Sequence, residues 1–213
     1  MKYEDLLLIL GQETFFDLPT LIQLSGEPKT NLRNQLHRWM KSGKCLPLRR
    51  GFYMLAPAYQ KEAPNLAQLA NYLYKPSYLS GAWALSFYGL IPEKVVLYTS
   101  VTTRSPSRFE NDLGIFDYRN IKKEAFFGYL ITQIEYKKVF LATPEKALLD
   151  YWHHHSHNWS KARMEAMRFQ NSEIIDPEKL KDYAEKFNSP RLMNAVNIWS
   201  TITQTEQTGT IEL

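Results

Sequence analysis

The sequence predicts an α+β chain, a small helix-and-hairpin module followed by a larger mixed α/β module. Three observations carry this expectation. Helical apolar spacing recurs three times before residue 42, and two short apolar runs flank the turn residues "RRG" at 49–51. Runs rich in β-branched and aromatic residues between 95 and 142 then lie among helical patterns on both sides.

The 213 residues are enough for one sizeable core or for a small module joined to a larger one. With 44% hydrophobic and 23% charged residues the composition is that of a folded globular protein. A single cysteine, Cys45, leaves no intramolecular disulfide and no cysteine-rich zinc site. The opening "MKYEDLLLILG" has only a five-residue apolar run behind Glu4 and Asp5, unlike a secretory signal. No stretch approaches the roughly 20 apolar residues that cross a bilayer. The expectation is a cytoplasmic protein with no membrane partner.

Tyr3, Leu6, Leu7 and Leu10 predict a first helix that stops at Gly11. A second follows in "FDLPTLIQLSG", with Asp17 as N-cap, Pro19 in the first turn and Leu18, Leu21 and Ile22 inward. Ser25, Gly26 and Pro28 break the chain before a third helix. There Leu32, Leu36, Trp39 and Met40 fall at offsets 0, 4, 7 and 8 and share one side. Thr30, Asn34, His37, Arg38 and Lys41 point away from that side, with Asn31 and Arg33 on its flanks. "SGKCLPLRRGFYML" then reads as a helix stop at Gly43 and a hairpin that turns at Arg49–Gly51. Closely spaced helices followed by a hairpin form a winged helix-turn-helix, expected over residues 1–58.

Charge points the same way. The net charge is only +4, yet Lys29 through Lys61 holds eight Lys or Arg and no Asp or Glu. A local excess of this kind is an electrostatic footprint for phosphates. Arg and Asn pair with major-groove base edges, and Lys and Thr satisfy phosphates. The expected double-stranded DNA contacts are Lys29, Thr30, Arg33, Asn34, His37, Arg38 and Lys41 on the helix, with Arg49 and Arg50 at the wing tip.

"LHRWMKSGKCLPLRRGFYML" resembles many bacterial winged helix-turn-helix domains, in which a basic helix ends at glycine and runs into a basic wing. "YLSGAWALSFYGLIPE" at 78–93, "FGY" at 127–129 and "ATPEKALLDYW" at 142–152 extend the likeness. In that order the motifs resemble the antitoxin and transcriptional-regulator component of the abortive-infection AbiE toxin–antitoxin systems. The resemblance implies a repressor at its own promoter, a C-terminal antitoxin domain over residues 64–213, and a nucleotidyltransferase-type toxin as partner.

In this second part "LAPAYQKEAPN" at 55–65 is the expected linker, and Leu66, Leu69, Ala70 and Leu73 begin a helix. Ser77 or Ser80 is expected to cap a further helix that ends at Gly89. Strands are expected in 95–103, "GIFDYRNI", "FGYLITQIEY" and "KVFLA", with "RSPSRFEND" as a turn-rich connection. Arg104 and Arg108 in that connection are candidate contacts for a partner or nucleic acid. Thr143 and Pro144 read as N-cap and N1 of a helix on which Glu145, Lys146 and Asp150 are polar supports or partner contacts.

His153 and His157, four residues apart, can share a helical face, but no HExxH order or third ligand accompanies them, and no metal or other cofactor is expected. Asp176–Pro177 and Ser189–Pro190 open two last helices, and "TQTEQTGT" reads as a frayed end. The chain lacks Walker A, dinucleotide-glycine and nucleophile-elbow signatures, so the expectation is a binder and not an enzyme. A homo-oligomer is a further candidate assembly. The rival reading is a solitary winged-helix module that binds protein without sequence-specific DNA recognition.

Overall fold

The computed structural model describes residues 1–209 and has a mixed α/β fold. The chain divides into two compact units, Met1–Leu69 and Ala70–Leu213.

The first unit opens with α1 (Tyr3–Leu10), which buries Tyr3, Leu6 and Leu10 and stops where Gly11 takes φ 62. Leu7, expected inside, is only partly buried, and its neighbour Leu8 is 81% exposed. Strand β1 (Phe15–Asp17) runs directly into α2 (Leu18–Ser25), so Asp17 both ends the strand and caps the helix, accepting from the Thr20 amide at 2.6 Å. Helix α3 (Lys29–Lys41) buries Leu32, Leu36 and Trp39. These join Tyr3, Leu6, Leu21 and Cys45 in one apolar cluster, and burial raises the Cys45 thiol to about 11.

Strands β2 (Cys45–Arg49) and β3 (Phe52–Leu55) form an antiparallel hairpin. Its turn is shorter than expected: Arg49 still pairs with Phe52, which leaves Arg50 and Gly51 to reverse the chain. Gly51 has φ 77, a region that suits glycine. The register slips between Pro47 and Arg49, a bulge that accommodates buried Leu48. Strand β1 pairs with the other side of β3, giving the order β1-β3-β2. Three residues are too few to show an alternation, so the sequence carried no sign of β1.

Helix α4 (Leu66–Leu73) contains the division between the units. The second unit is built on β4 (Ser77–Leu79), β5 (Tyr98–Thr102), β6 (Ser107–Asn111), β7 (Gly114–Asn120), β8 (Tyr129–Ile134) and β9 (Lys137–Ala142). Among the described residues these make one sheet of order β6-β7-β5-β4-β9-β8. It is mixed, with β4 parallel to β9 and β5 parallel to β7, and the other neighbours antiparallel.

Two sequence expectations are corrected here. Of the two serines offered as caps, Ser77 is the first residue of central strand β4, while Ser80 occupies the N-cap position of α5 (Gly81–Phe87), without a side-chain cap hydrogen bond. Its hydroxyl donates to the buried Asp150 carboxylate at 2.7 Å. "RSPSRFEND" is not simply a connection: Ser107–Asn111 is edge strand β6, paired along β7.

Helix α6 (Pro144–His154) has Thr143 as its N-cap, whose side chain accepts from the Lys146 amide. After α7 (Lys161–Ala166), α8 (Pro177–Lys186) is capped by Asp176, which accepts from the Glu178 and Lys179 amides at 3.0 and 3.1 Å. Helix α9 (Pro190–Gly209) buries Leu192, Ala195, Val196 and Trp199. It continues through most of the segment expected to fray, whose last residue, Thr210, lies outside the described residues. Gly128 (φ 72) lets the backbone pass close to α6 and α8: a Cβ there would meet the Tyr183 ring at 2.8 Å and Lys146 Cβ at 3.1 Å.

Candidate nucleic-acid interface

On α3 the buried Leu32, Leu36 and Trp39 fix the rotation of the helix, so everything opposite them must face water. Thr30, Asn34, His37, Arg38 and Lys41 are all exposed. At about 100° per residue, Thr30, Asn34, His37 and Lys41 lie in one stripe along the outer side. Arg38 stands beside that stripe and its Nε donates to the Asn34 carbonyl at 3.4 Å.

Lys29 and Arg33 lie on the flank nearer the hairpin. With Arg49 and Arg50 they line a concave surface of about 920 Å³ whose remaining wall includes Leu18, Pro19, Ile22, Gly51 and Tyr53. No carboxylate comes within ion-pair distance of Lys29, Arg33 or Arg50 among the described residues. Asp17, the acidic residue of this groove, is occupied by the Thr20 amide as the α2 cap. Arg49 is the most anchored of the four cations: its Nη1 donates to the Arg50 carbonyl at 3.1 Å and its guanidinium lies 5.5 Å from the Phe52 ring centre. The nine expected contact residues therefore fall into two adjoining groups, a cationic groove and an outward polar stripe.

The five second-tier residues separate. Arg104 and Arg108 are exposed. Arg104 stacks over the Tyr74 ring at 4.2 Å and donates to the Lys75 carbonyl at 3.1 Å, while Arg108 projects from edge strand β6. Glu145, Lys146 and Asp150 are 3%, 0% and 0% exposed, so of the two roles left open for them the inward, supporting one is realised and surface contact with a partner is not.

The buried Lys146 ammonium pairs with Asp150 Oδ1, and Tyr78 and Ser80 donate to Oδ2 at 3.0 and 2.7 Å. Burial lowers the lysine pKa, while the adjacent carboxylate pulls it back up. Glu145 meets Lys179 Nζ at 2.9 Å and accepts from the Asp176 amide at 3.2 Å. Burial acts to raise its pKa, but the bonds from Lys179, Thr143 and the backbone outweigh it and leave the carboxyl lowered.

The shared helical face expected for His153 and His157 does not form, because α6 ends at His154. Arg191 accounts for the stop: its guanidinium donates to the carbonyls of Trp152, His153 and His155 at 2.9, 3.0 and 2.9 Å, a cationic cap on the negative helix end. Burial and the neighbouring His154 ring lower His153 to about 4. Among the described residues no group of three or more His, Cys, Asp or Glu is placed to hold a metal ion, and no helix is long and apolar enough to cross a membrane.

No protein-family model matches the chain, and no curated protein matches its sequence.

Proposed function

We propose that the chain is a transcriptional repressor that binds double-stranded DNA at its own promoter, with the first unit acting as a winged helix-turn-helix. The observation that supports this most is the groove in which Lys29, Arg33, Arg49 and Arg50 converge beside the uncovered polar stripe of α3. In this reading α3 enters the major groove and the β2–β3 hairpin is the wing that grips the flanking backbone. Asn34 and Arg38 read base edges, and Lys29, Arg33, Lys41, Arg49 and Arg50 neutralise phosphates. Repression is by occupancy of the site and needs no catalytic step. The test is binding to the chain's own upstream DNA against shuffled duplex at several salt concentrations. With five phosphates neutralised, log affinity falls against log salt with a slope of roughly −4.5. Equal affinity for own and shuffled DNA would favour the rival, a protein-binding module with a basic face.

The second unit is proposed to act as an antitoxin against a nucleotidyltransferase-type toxin in the cytoplasm. Support for this comes from the motifs at 78–93, 127–129 and 142–152 and their order. Co-expression with such a toxin encoded beside it restores growth if the reading holds, and leaves growth arrested if it does not.

A further inference from the structure

The six-stranded sheet ends in β6 on one side and β8 on the other, and the two edges are built differently. Strand β6 presents exposed Arg108 and Glu110, and charge on an edge discourages a further strand from adding to it. Strand β8 reads Tyr129, Leu130, Ile131, Thr132, Gln133, Ile134 and carries no charge, proline or glycine. Leu130 and Ile131, which point to opposite faces, are 63% and 62% exposed, and Phe140 of β9 is exposed beside Ile131. Both faces of the edge are therefore open at its middle.

The hairpin register fixes which backbone groups look outward. Gly128 accepts from the Thr143 amide at 2.9 Å, and the Ile134–Lys137 pair closes the turn at Glu135 and Tyr136, whose φ angles are 47 and 63. In an antiparallel ladder alternate residues bond to a given neighbour, so Gly128, Leu130, Thr132 and Ile134 turn their N–H and C=O toward β9. Tyr129, Ile131 and Gln133 turn theirs to the open side, where no strand lies among the described residues. This outward set is centred on Ile131.

We infer that β8 is the docking edge for a second copy of this chain, paired antiparallel about a two-fold axis through Ile131. That axis sets Ile131 against its own counterpart and Tyr129 against the counterpart of Gln133, so the outward groups of the two copies match without remainder. Charge selects the same occupant: an uncharged strand meets its own copy with no like charges opposed, and the exposed Leu130 and Ile131 side chains leave water together. Both copies spend the same edge, so association stops at two. The inference stands apart from DNA recognition, since its test reads mass and not DNA binding.

Sedimentation of the full-length protein over about 1–100 µM should show a monomer–dimer equilibrium. Ile131→Lys and Ile131→Glu change an exposed side chain and should each weaken self-association about tenfold or more, because like charges then meet at the axis. An equimolar mixture of the two variants should regain it as a mixed dimer. A parent that stays monomeric throughout, as it would if the edge takes only a strand of another protein, overturns the inference. So do charged variants that dimerise as the parent does, or a mixture that stays monomeric. Should a charged variant fail to fold, Ile131→Cys decides: oxidation should join two copies through residue 131, since the native Cys45 is buried, and absence of that link would equally overturn the pairing.

Discussion

Helices α3 and α6 each carry charged side chains four residues apart, Lys29 with Arg33 and Lys146 with Asp150, and the fold uses them in opposite ways. On α3 the cations stand in water, and among the described residues no carboxylate comes within ion-pair distance of Lys29 or Arg33. On α6 Lys146 and Asp150 are sealed from solvent and satisfy each other, with Tyr78 and Ser80 completing the carboxylate's shell. Charge in water is available to a polyanion and contributes little to stability, whereas charge taken out of water is a structural commitment that fails if either partner is lost. A lysine on a helix therefore says little about function until its surroundings are known.

The largest effect should come from breaking the sealed pair. Lys146→Ala leaves Asp150 buried without its cation and should cost about 3–5 kcal/mol in urea denaturation, whereas the double change Lys146→Met with Asp150→Leu should recover much of that loss. Were the single change to cost no more than a surface substitution, the contrast between the helices would collapse.

Next in size is the exposed side of the comparison. Asn34→Ala should weaken binding to the chain's own upstream duplex by about 1–3 kcal/mol and leave urea stability nearly unchanged. Arg50→Ala should weaken every duplex alike and make the salt slope shallower by about 0.9. Equal losses from Asn34→Ala on all sequences would remove base reading from that residue.

A smaller effect is expected at Asp17, which borders the groove but acts on the fold. Asp17→Ala removes the cap on α2 and should lower stability by about 1 kcal/mol, while duplex affinity rises or holds as a negative charge leaves the groove. A fall in affinity with stability intact would recast Asp17 as a contact residue.

The smallest effect concerns His153, part exposed and so partly screened. Its pKa in the fold, about 4, lies below the ordinary histidine value of 6.5. The unfolded chain thus binds more protons between those values, and stability declines as pH falls from about 6.5 toward 4. His154, Asp150, Arg191 and Lys146 all bear on this ring. Relative to the parent, His153→Gln should show a flatter decline in melting temperature across that window. An unchanged slope would mean that other groups, such as the lowered Glu145, carry the acid sensitivity.

What could be read from the residues alone was what neighbours in sequence decide. Asp17 with Pro19, Thr143 with Pro144 and Asp176 with Pro177 each announce a helix start, and each cap is present. The rotation of α3 follows from the spacing of Leu32, Leu36 and Trp39. Strands β1, β4 and β6 were missed, since three to five residues show no dependable alternation and are strands only because β3, β5 with β9, and β7 lie alongside. Ser80 stands at the start of α5 as its sequence suggests, but the acceptor of its hydroxyl, Asp150, is 70 residues away and could not be read locally. One signal for the burial of α6 was present but easily passed over: Ala147, Leu148, Leu149 and Trp152 occupy more than one side of the helix, leaving little room for a solvated face.

The sequence by itself determined where helices begin and stop, which side of α3 turns inward, and that positive charge gathers between residues 29 and 61, all consequences of local sterics, periodicity and composition. The tertiary structure alone decided which charges stay in water and which are paired out of it, since desolvation and partner geometry depend on side chains far apart in the chain.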